Sequence, residues 1–287
     1  MIHIIVNPVS GKKKATKNLR IVERMLMERG IEYEIHATCE VHDGESIARR
    51  LSEQGETEFV VLGGDGTLHE VLNGLVDPSI CTLGLIPSGT GNDFAGMLGL
   101  PLDAEKAMAL ILKGQPQPID YFKVGNRRCM NVCGLGMDVD VLERCQRGKM
   151  KGKLKYLWSL LRSLFAFKGY KVTIESGELS TTHDVLICAA CNGKVFGGGI
   201  KICPDAIADD GKIDVVIVDC IGGKWKIIKA FMHLMKGRIL QYPATTYLRC
   251  DRVRFTPDVP RTVQLDGELY YDLDFTVEVG KGLRFYK

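Results

Sequence analysis

The chain has 287 residues, enough for two domains of ordinary size. Hydrophobic residues at 45% and charged residues at 25% mark a soluble globular chain and exclude a disordered or fibrous one. A net charge of +3 gives no case for a nucleic-acid partner, and no apolar run reaches the roughly 18 residues of a membrane span.

The first part alternates strand and helix. The run 2–6, apolar but for His3, predicts a strand covered on both faces. Ala15, Leu19, Val22 and Leu26 recur at helical spacing until Gly30 stops the helix. A strand follows over 31–37, a helix around Ile47, Ala48 and Leu51, and a buried strand over 59–62. Leu68, Val71, Leu72 and Leu75 make another helix face, 81–86 a fourth strand, and Ala107, Leu110 and Ile111 a helix closing at Gly114. Such alternation predicts an open, mostly parallel sheet. The stretch QPQPID (115–120) reads as a linker or domain edge. Beyond it short strands are expected at 119–124, 127–133, 170–176, 184–191, 213–219, 246–255, 261–265 and 274–279, with few helices between. They predict a mainly antiparallel second domain of β-sandwich type. The expected boundary divides residues 1–118, an α/β domain completed by C-terminal residues, from 119–287.

The N-terminus lacks the basic start and apolar core of a signal peptide, so the chain reads as cytoplasmic. The ten cysteines are scattered through apolar runs and read as small buried hydrophobes. Cys188 and Cys191 form a lone C-x-x-C with no second pair at zinc spacing.

Three loops stand out, each after a predicted strand: NPVSGKKK (7–14), GGDGT (63–67) and PSGTGND (87–93). Loops at the carboxyl ends of parallel strands converge where such sheets bind ligands. Glycine bares backbone amides, and clustered amides at helix starts bind anions. Ser10, Thr67, Ser88 and Thr90 add hydroxyls, and Lys12, Lys13 and Lys14 add positive charge. Together they read as a polyphosphate cradle. Asp65 would be repelled there unless a cation intervened, and Mg²⁺ takes one or two carboxylates with phosphate oxygens. Alternatively, residues 63–67 are a plain tight turn with Asp65 capping the next helix. Neither the Walker nor the dinucleotide fingerprint is present: Thr90 stands where the first needs lysine, and glycines 197–199 do not match the second. Two acidic turns, at 204–214 and 263–272, are open to a plain structural reading.

GGDGT (63–67), PSGTGNDFA (87–95), GGGIKICPDAIADDGKID (197–214) and DGE (266–268) resemble, in order and spacing, the bacterial diacylglycerol kinase-like lipid kinases, relatives of sphingosine kinases. The resemblance implies a nucleotide-binding domain like those of 6-phosphofructokinase and NAD kinase, a β-sandwich lipid-substrate domain, and an active site in the cleft between. It implies ATP and Mg²⁺ as cofactors and phosphorylation of a lipid alcohol, diacylglycerol to phosphatidic acid. Asn7, Pro8, Val9, Ser10, Gly11, Thr38, Gly64, Asp65, Gly66, Thr67, Leu68, His69, Glu70 and Thr90 match nucleotide-binding positions. Glu268 matches the general base, with Asp65 and Asp93 as acidic residues needed for activity. Asp210, with the carbonyls of Ile207 and Lys212, matches a structural magnesium site. An NAD kinase-like enzyme and a catalytically silent nucleotide- or lipid-binding protein are the alternatives. The acceptor implies peripheral contact with the inner face of the membrane. Segment 149–171, basic at its ends with an apolar face, reads either as a helix on anionic lipid or as one packed on the sandwich. An exposed edge strand offers a route to a homodimer.

Overall fold

The computed structural model describes residues 1–147, 162–163, 166–220, 222–271 and 273–287. It divides into two units: Met1–Tyr121 with Gly197–Gly199 and Gly280–Lys287, and Phe122–Phe196 with Ile200–Val279.

In the first unit, β1 (Ile2–Val6), α1 (Ser10–Glu28), β2 (Tyr33–Ala37), α2 (Asp43–Glu53), β3 (Glu58–Gly63), α3 (Asp65–Gly74) and β4 (Thr82–Pro87) follow the expected alternation. Then come α4 (Asp93–Met97), α5 (Ala104–Leu112), β5 (Gln117–Pro118) and, from the far end of the sequence, β19 (Arg284–Phe285). The sheet order is β2-β1-β3-β4-β19-β5. All neighbours are parallel except β5, which runs antiparallel to β19. Within the stretch 115–120, expected as a linker or domain edge, Gln117–Pro118 supplies an edge strand. Ile2, Ile4 and Val6 of β1 share a core with Val22, Met25 and Leu26 of α1 and Ala107, Met108 and Ile111 of α5. The intervening His3 and Ile5 face the other side of the sheet, as the two-residue period of a strand requires. The short α4 was not expected; five residues are too few for a helical period to show.

The second unit holds β6 (Tyr121–Val124), β7 (Arg127–Cys129), β8 (Val132–Gly136), α6 (Met137–Arg147), β9 (Tyr170–Ser176), β10 (Leu179–Cys191), β11 (Val195–Phe196) and β12 (Ile200–Lys201). It continues with β13 (Ile213–Asp219), α7 (Lys224–Met235), β14 (Thr245–Cys250), β15 (Arg252–Pro257), β16 (Thr262–Leu265), β17 (Glu268–Tyr271) and β18 (Thr276–Gly280). Eleven strands pair into one sheet, and β17-β16-β8-β10-β9-β15-β18, β10-β13-β14 and β6-β7 are antiparallel neighbours within it. The two layers of the sandwich are one curled sheet with a core on each face. Alternation along β10 and β13 shows this directly. Cys188, Ala190, Val215 and Ile217 enter the core shared with Phe122, Ile174, Phe255 and Val277. Ala189, Cys191, Val216 and Val218 enter the opposite core, covered by Met137 and Val141 of α6 and Ile227, Ala230 and Leu234 of α7. Cys188 and Cys191, three residues apart, therefore lie on opposite faces and cannot share a metal or a disulfide. Burial pushes both thiols well above their ordinary pKa.

Two expected strands are broken. The run 127–133 is interrupted at Met130 and Asn131, whose amides leave the ladder for the Asp266 carboxylate at 2.8 Å each. The run 246–255 divides at Asp251 into β14 and β15.

Asp138, at the start of α6, is buried, and burial raises its pKa to about 6. The amides of Val139 and of Asp138 itself, and the Gln264 side chain, only partly offset this. The unfolded carboxyl titrates near pH 4, so between about pH 4 and 6 the native state holds a proton the unfolded chain has released. Stability from this group therefore falls as pH rises through that window. Asp138→Asn is expected to flatten the fall and to raise stability at pH 7 by about 2–3 kcal/mol, read from urea unfolding at several pH values.

Candidate active site

The three glycine loops meet at the carboxyl ends of β1, β3 and β4, and backbone geometry explains why they are glycine-rich. Gly64 and Gly89 lie back to back: a Cβ on Gly89 would fall 2.5 Å from the Gly64 Cα. A Cβ on Gly11 would fall 2.1 Å from the Ser88 carbonyl oxygen. Gly11, Lys12 and Lys13 all have left-handed backbones, with φ of 56°, 57° and 72°. For two lysines this is uncommon and costs energy, and such backbones cluster at binding sites. The run holds the first loop open before α1 becomes regular.

Side chains lock the loops together. The Ser10 hydroxyl donates to the Ser88 carbonyl at 3.2 Å, Asn18 Nδ2 to Ser88 Oγ at 2.9 Å, and Ser88 N to the Gly63 carbonyl at 2.7 Å. The Asn7 amide donates to the Leu62 carbonyl, and its side-chain oxygen accepts from Val9 N. Asn92, itself left-handed, accepts from Gly89 N at 2.9 Å and donates back to the Gly89 carbonyl. Lys14 is committed to the carbonyls of Pro87 and Leu102. The N–H groups of Gly64, Thr90 and Gly91 find no acceptor among the described residues. Unpaired backbone donors of this kind are what an anion would use.

Asp65 caps a helix, but not the one it begins. Its carboxylate accepts from the amides of Asp93 and Phe94 at 3.1 Å each, fastening α4 to α3. Asp93 in turn accepts from Gly198 N at 2.8 Å. Both carboxylates flank Gly91, where a Cβ would lie 3.3 Å from Asp65 Oδ2 and 3.9 Å from Asp93 Oδ2. They supply the hard oxygen donors that magnesium takes.

The remaining expected nucleotide positions divide. Pro8 and exposed Val9 line the first loop, with the Pro8 carbonyl accepting from Thr16. Gly66 and Thr67 open α3, and Asn7 Nδ2 reaches Thr67 Oγ1 at 3.5 Å. Thr38, buried after β2, donates its amide to the Val6 carbonyl and so lies at the same sheet end. Leu68 and His69 are buried, with the Asn73 side chain reaching the His69 ring at 3.3 Å, so their side chains pack inward. The Glu70 carboxylate is engaged by the amides of His42 and Gly44 at 3.1 and 3.0 Å, securing the start of α2. Asn18 carries no motif signal in the sequence, while Asn92 and Gly198 lie inside PSGTGNDFA and the glycine triplet 197–199, where the sequence does not show their backbone conformation or partners.

In the second unit, Asp266 and Gly267 turn β16 into β17, with Asp266 at φ 54°. The Asp266 carboxylate takes the amides of Met130 and Asn131 and the Cys129 thiol at 3.1 Å. Glu268 begins β17, exposed, its carboxylate without a hydrogen bond or ion pair among the described residues. Within DGE the aspartate builds the turn and the glutamate remains chemically available. Asp266→Ala strands two amides and should cost about 2–5 kcal/mol in urea unfolding, whereas Glu268→Ala should leave stability nearly unchanged.

The Asp210 turn is occupied differently. One Asp210 oxygen accepts from Lys212 N at 3.0 Å, and the other pairs with Arg249, which also contacts Asp214 at 3.0 Å. The carbonyl-bearing Ile207 is exposed, and the Lys212 ammonium turns to Asp251 at 2.8 Å.

Residues 1–124 match the diacylglycerol kinase catalytic domain family, and residues 131–283 match the YegS C-terminal NAD kinase beta sandwich-like domain. A "Probable lipid kinase YegS-like" protein of Xanthomonas euvesicatoria is 30% identical over 94% of this chain and 91% of its own length. The "Diacylglycerol kinase" of Bacillus subtilis is 30% identical over 92% and 88%. A crystal structure from Bacillus anthracis superposes with a TM-score of 0.81 at 23% identity, covering 99% of this chain and 94% of that one. Another, of a diacylglycerol kinase from the same organism, gives 0.76 at 21% identity, covering 99% and 96%. Fold and sequence together define a two-domain kinase of the α/β plus NAD kinase-like type. The chain belongs to the bacterial diacylglycerol kinase-like lipid kinase family.

Proposed function

We propose that the chain transfers the γ-phosphoryl group of ATP to the hydroxyl of a lipid alcohol, diacylglycerol being the acceptor to which the resemblance points. The observation that carries this is the set of unpaired amides at Gly64, Thr90 and Gly91, held in place by glycine-to-glycine contact between loops. Phosphoryl transfer asks a protein mainly for positioning and charge neutralisation, and free amides on a locked backbone supply both. Magnesium, when bound with the nucleotide, neutralises phosphate charge, and Asp65 and Asp93 are the residues that would hold it. Asp65 also fixes the third loop through its two amide contacts, so its charge has two uses. Glu268, with a free carboxylate, takes the proton from the lipid hydroxyl as that oxygen attacks the γ-phosphorus, and the bond from phosphorus to the bridging oxygen breaks to release ADP.

A structural magnesium on Asp210 with the carbonyls of Ile207 and Lys212 is part of the same proposal. It requires Arg249 to release Asp210 and keep Asp214. Peripheral contact with the inner face of the membrane is the proposed route to lipid; among the described residues no helix is long and apolar enough to cross a membrane. Segment 149–171 is a candidate for that contact. Its Lys149, Lys151, Lys153 and Lys155, with Leu157, Leu160, Leu161, Leu164 and Phe165, lie outside the described residues.

The test is purified protein with labelled ATP and Mg²⁺ against a panel of lipid alcohols in mixed micelles, with NAD in a parallel arm. Label in a phospholipid product is the expected result. Label in NADP alone, or in no acceptor, overturns the proposal.

A further inference from the structure

At the opposite end of the first sheet from the glycine loops, three side chains converge on one face. β2 is the edge strand and lies parallel to β1, with His3 beside Glu34 and Ile5 beside His36. Glu34 and His36 are two residues apart on one strand, so both project on the His3 side. The structure assigns this cluster a function outside the kinase chemistry: His3 Nδ1, His36 Nε2 and a Glu34 carboxylate oxygen form a binding site for a zinc-type transition-metal dication.

The geometry is that of a coordination triangle. His3 Nδ1 and His36 Nε2 are 3.2 Å apart, and Glu34 Oε2 is 3.6 Å from each. Zinc bonds of about 2.0–2.1 Å at tetrahedral angles place donors about 3.3–3.4 Å apart, so one ion fits with small adjustments. Two imidazoles and a carboxylate suit zinc, cobalt or nickel, whereas magnesium prefers all-oxygen sites. Both histidines are buried, at 1% and 8% exposure, while Glu34 is open to solvent and gives the ion an entry and a free fourth position. His36 is held below its ordinary pKa chiefly by burial, with His3 and Arg50 of α2 acting in the same direction and Glu34 against them. Behind the site, Glu56 Oε2 lies 2.9 Å from His3 Nε2, where a small ring rotation would align the bond. A carboxylate on the distal nitrogen of a metal-bound histidine fixes its tautomer and raises its basicity. The His3 ring also packs on Phe59 of β3, with centroids 6.2 Å apart, which limits its other rotamers.

The test uses the full chain stripped of metal, carrying Cys39→Ser to remove the exposed thiol just after β2. Zn²⁺ is titrated against a chromophoric chelator with magnesium in excess, and Co²⁺ absorption is recorded in parallel. One equivalent per chain is expected, with a tetrahedral cobalt spectrum lacking thiolate charge transfer. Glu34→Gln, at an exposed position, and His36→Gln should each weaken binding by more than the about 10–100-fold typical of an outer-shell change. Absence of stoichiometric binding, survival of full affinity in either variant, or a thiolate band overturns the assignment. None of these readouts depends on kinase activity.

Discussion

Glu268→Gln is expected to lower turnover by about 10²–10⁴-fold while nucleotide affinity stays close to that of the parent chain. Glutamine preserves the size of the side chain and the pairing of Glu268 with Leu265 at the start of β17, so the turn survives. What it removes is the ability to accept a proton. The glutamate carboxylate makes no hydrogen bond or ion pair among the described residues, so little stability should change with it. Single-turnover kinetics with saturating lipid, alongside calorimetric nucleotide titration, separates the two effects. Parent-like turnover would exclude Glu268 as the base. Loss of nucleotide binding would point to a structural role.

Asp65→Asn should have the second large effect, and of a different kind. The carboxylate accepts two main-chain amides, and an asparagine can accept through only one of its two terminal atoms. Its NH₂ would face the N–H of Asp93 or Phe94, so α4 and the loop before it should shift. A charged hydrogen bond of this kind is worth about 1.5–3 kcal/mol, enough to lower the melting temperature without unfolding the domain. Displacing the loop by about 1 Å would cost on the order of 10²-fold in turnover, before any loss of magnesium is counted. A Mg²⁺ titration of activity separates the contributions. If excess Mg²⁺ does not restore the rate, geometry dominates. If the half-saturating Mg²⁺ concentration rises and the maximum is regained, Asp65 acts mainly on the metal. An unchanged Mg²⁺ curve at unchanged turnover would remove Asp65 from the site.

The three loops were legible in sequence because the backbone leaves little choice there. Gly64 and Gly89 touch where a single methyl would collide, and such a demand shows as glycine in any reading. The parallel alternation was legible because β1, β3 and β4 are buried over nearly their whole length and carry mainly apolar runs, interrupted in β1 by His3. The partners of Asp65 were not, since they lie 28 and 29 residues away and depend on how α4 is placed. Helix α7 carries Ile227, Ala230 and Leu234 at helical spacing and so was legible, but the expectation of a strand-rich second domain passed over it. β19 escaped because two residues cannot show a period. The His3, Glu34 and His36 cluster exists only through the register of β1 on β2, which no spacing along the chain reveals.

The position of β19 bears on how the protein is made. It sits between β4 and β5, yet the whole second unit separates it from β4 in sequence. A ribosome working at about 5–20 residues per second needs roughly 10–40 s to move from one to the other. Throughout that interval the flank of β4 that β19 will cover stays unpaired. The nascent chain therefore carries a sticky sheet border long after its nucleotide loops have been synthesised, and this is the stage at which a chaperone would have most to shield.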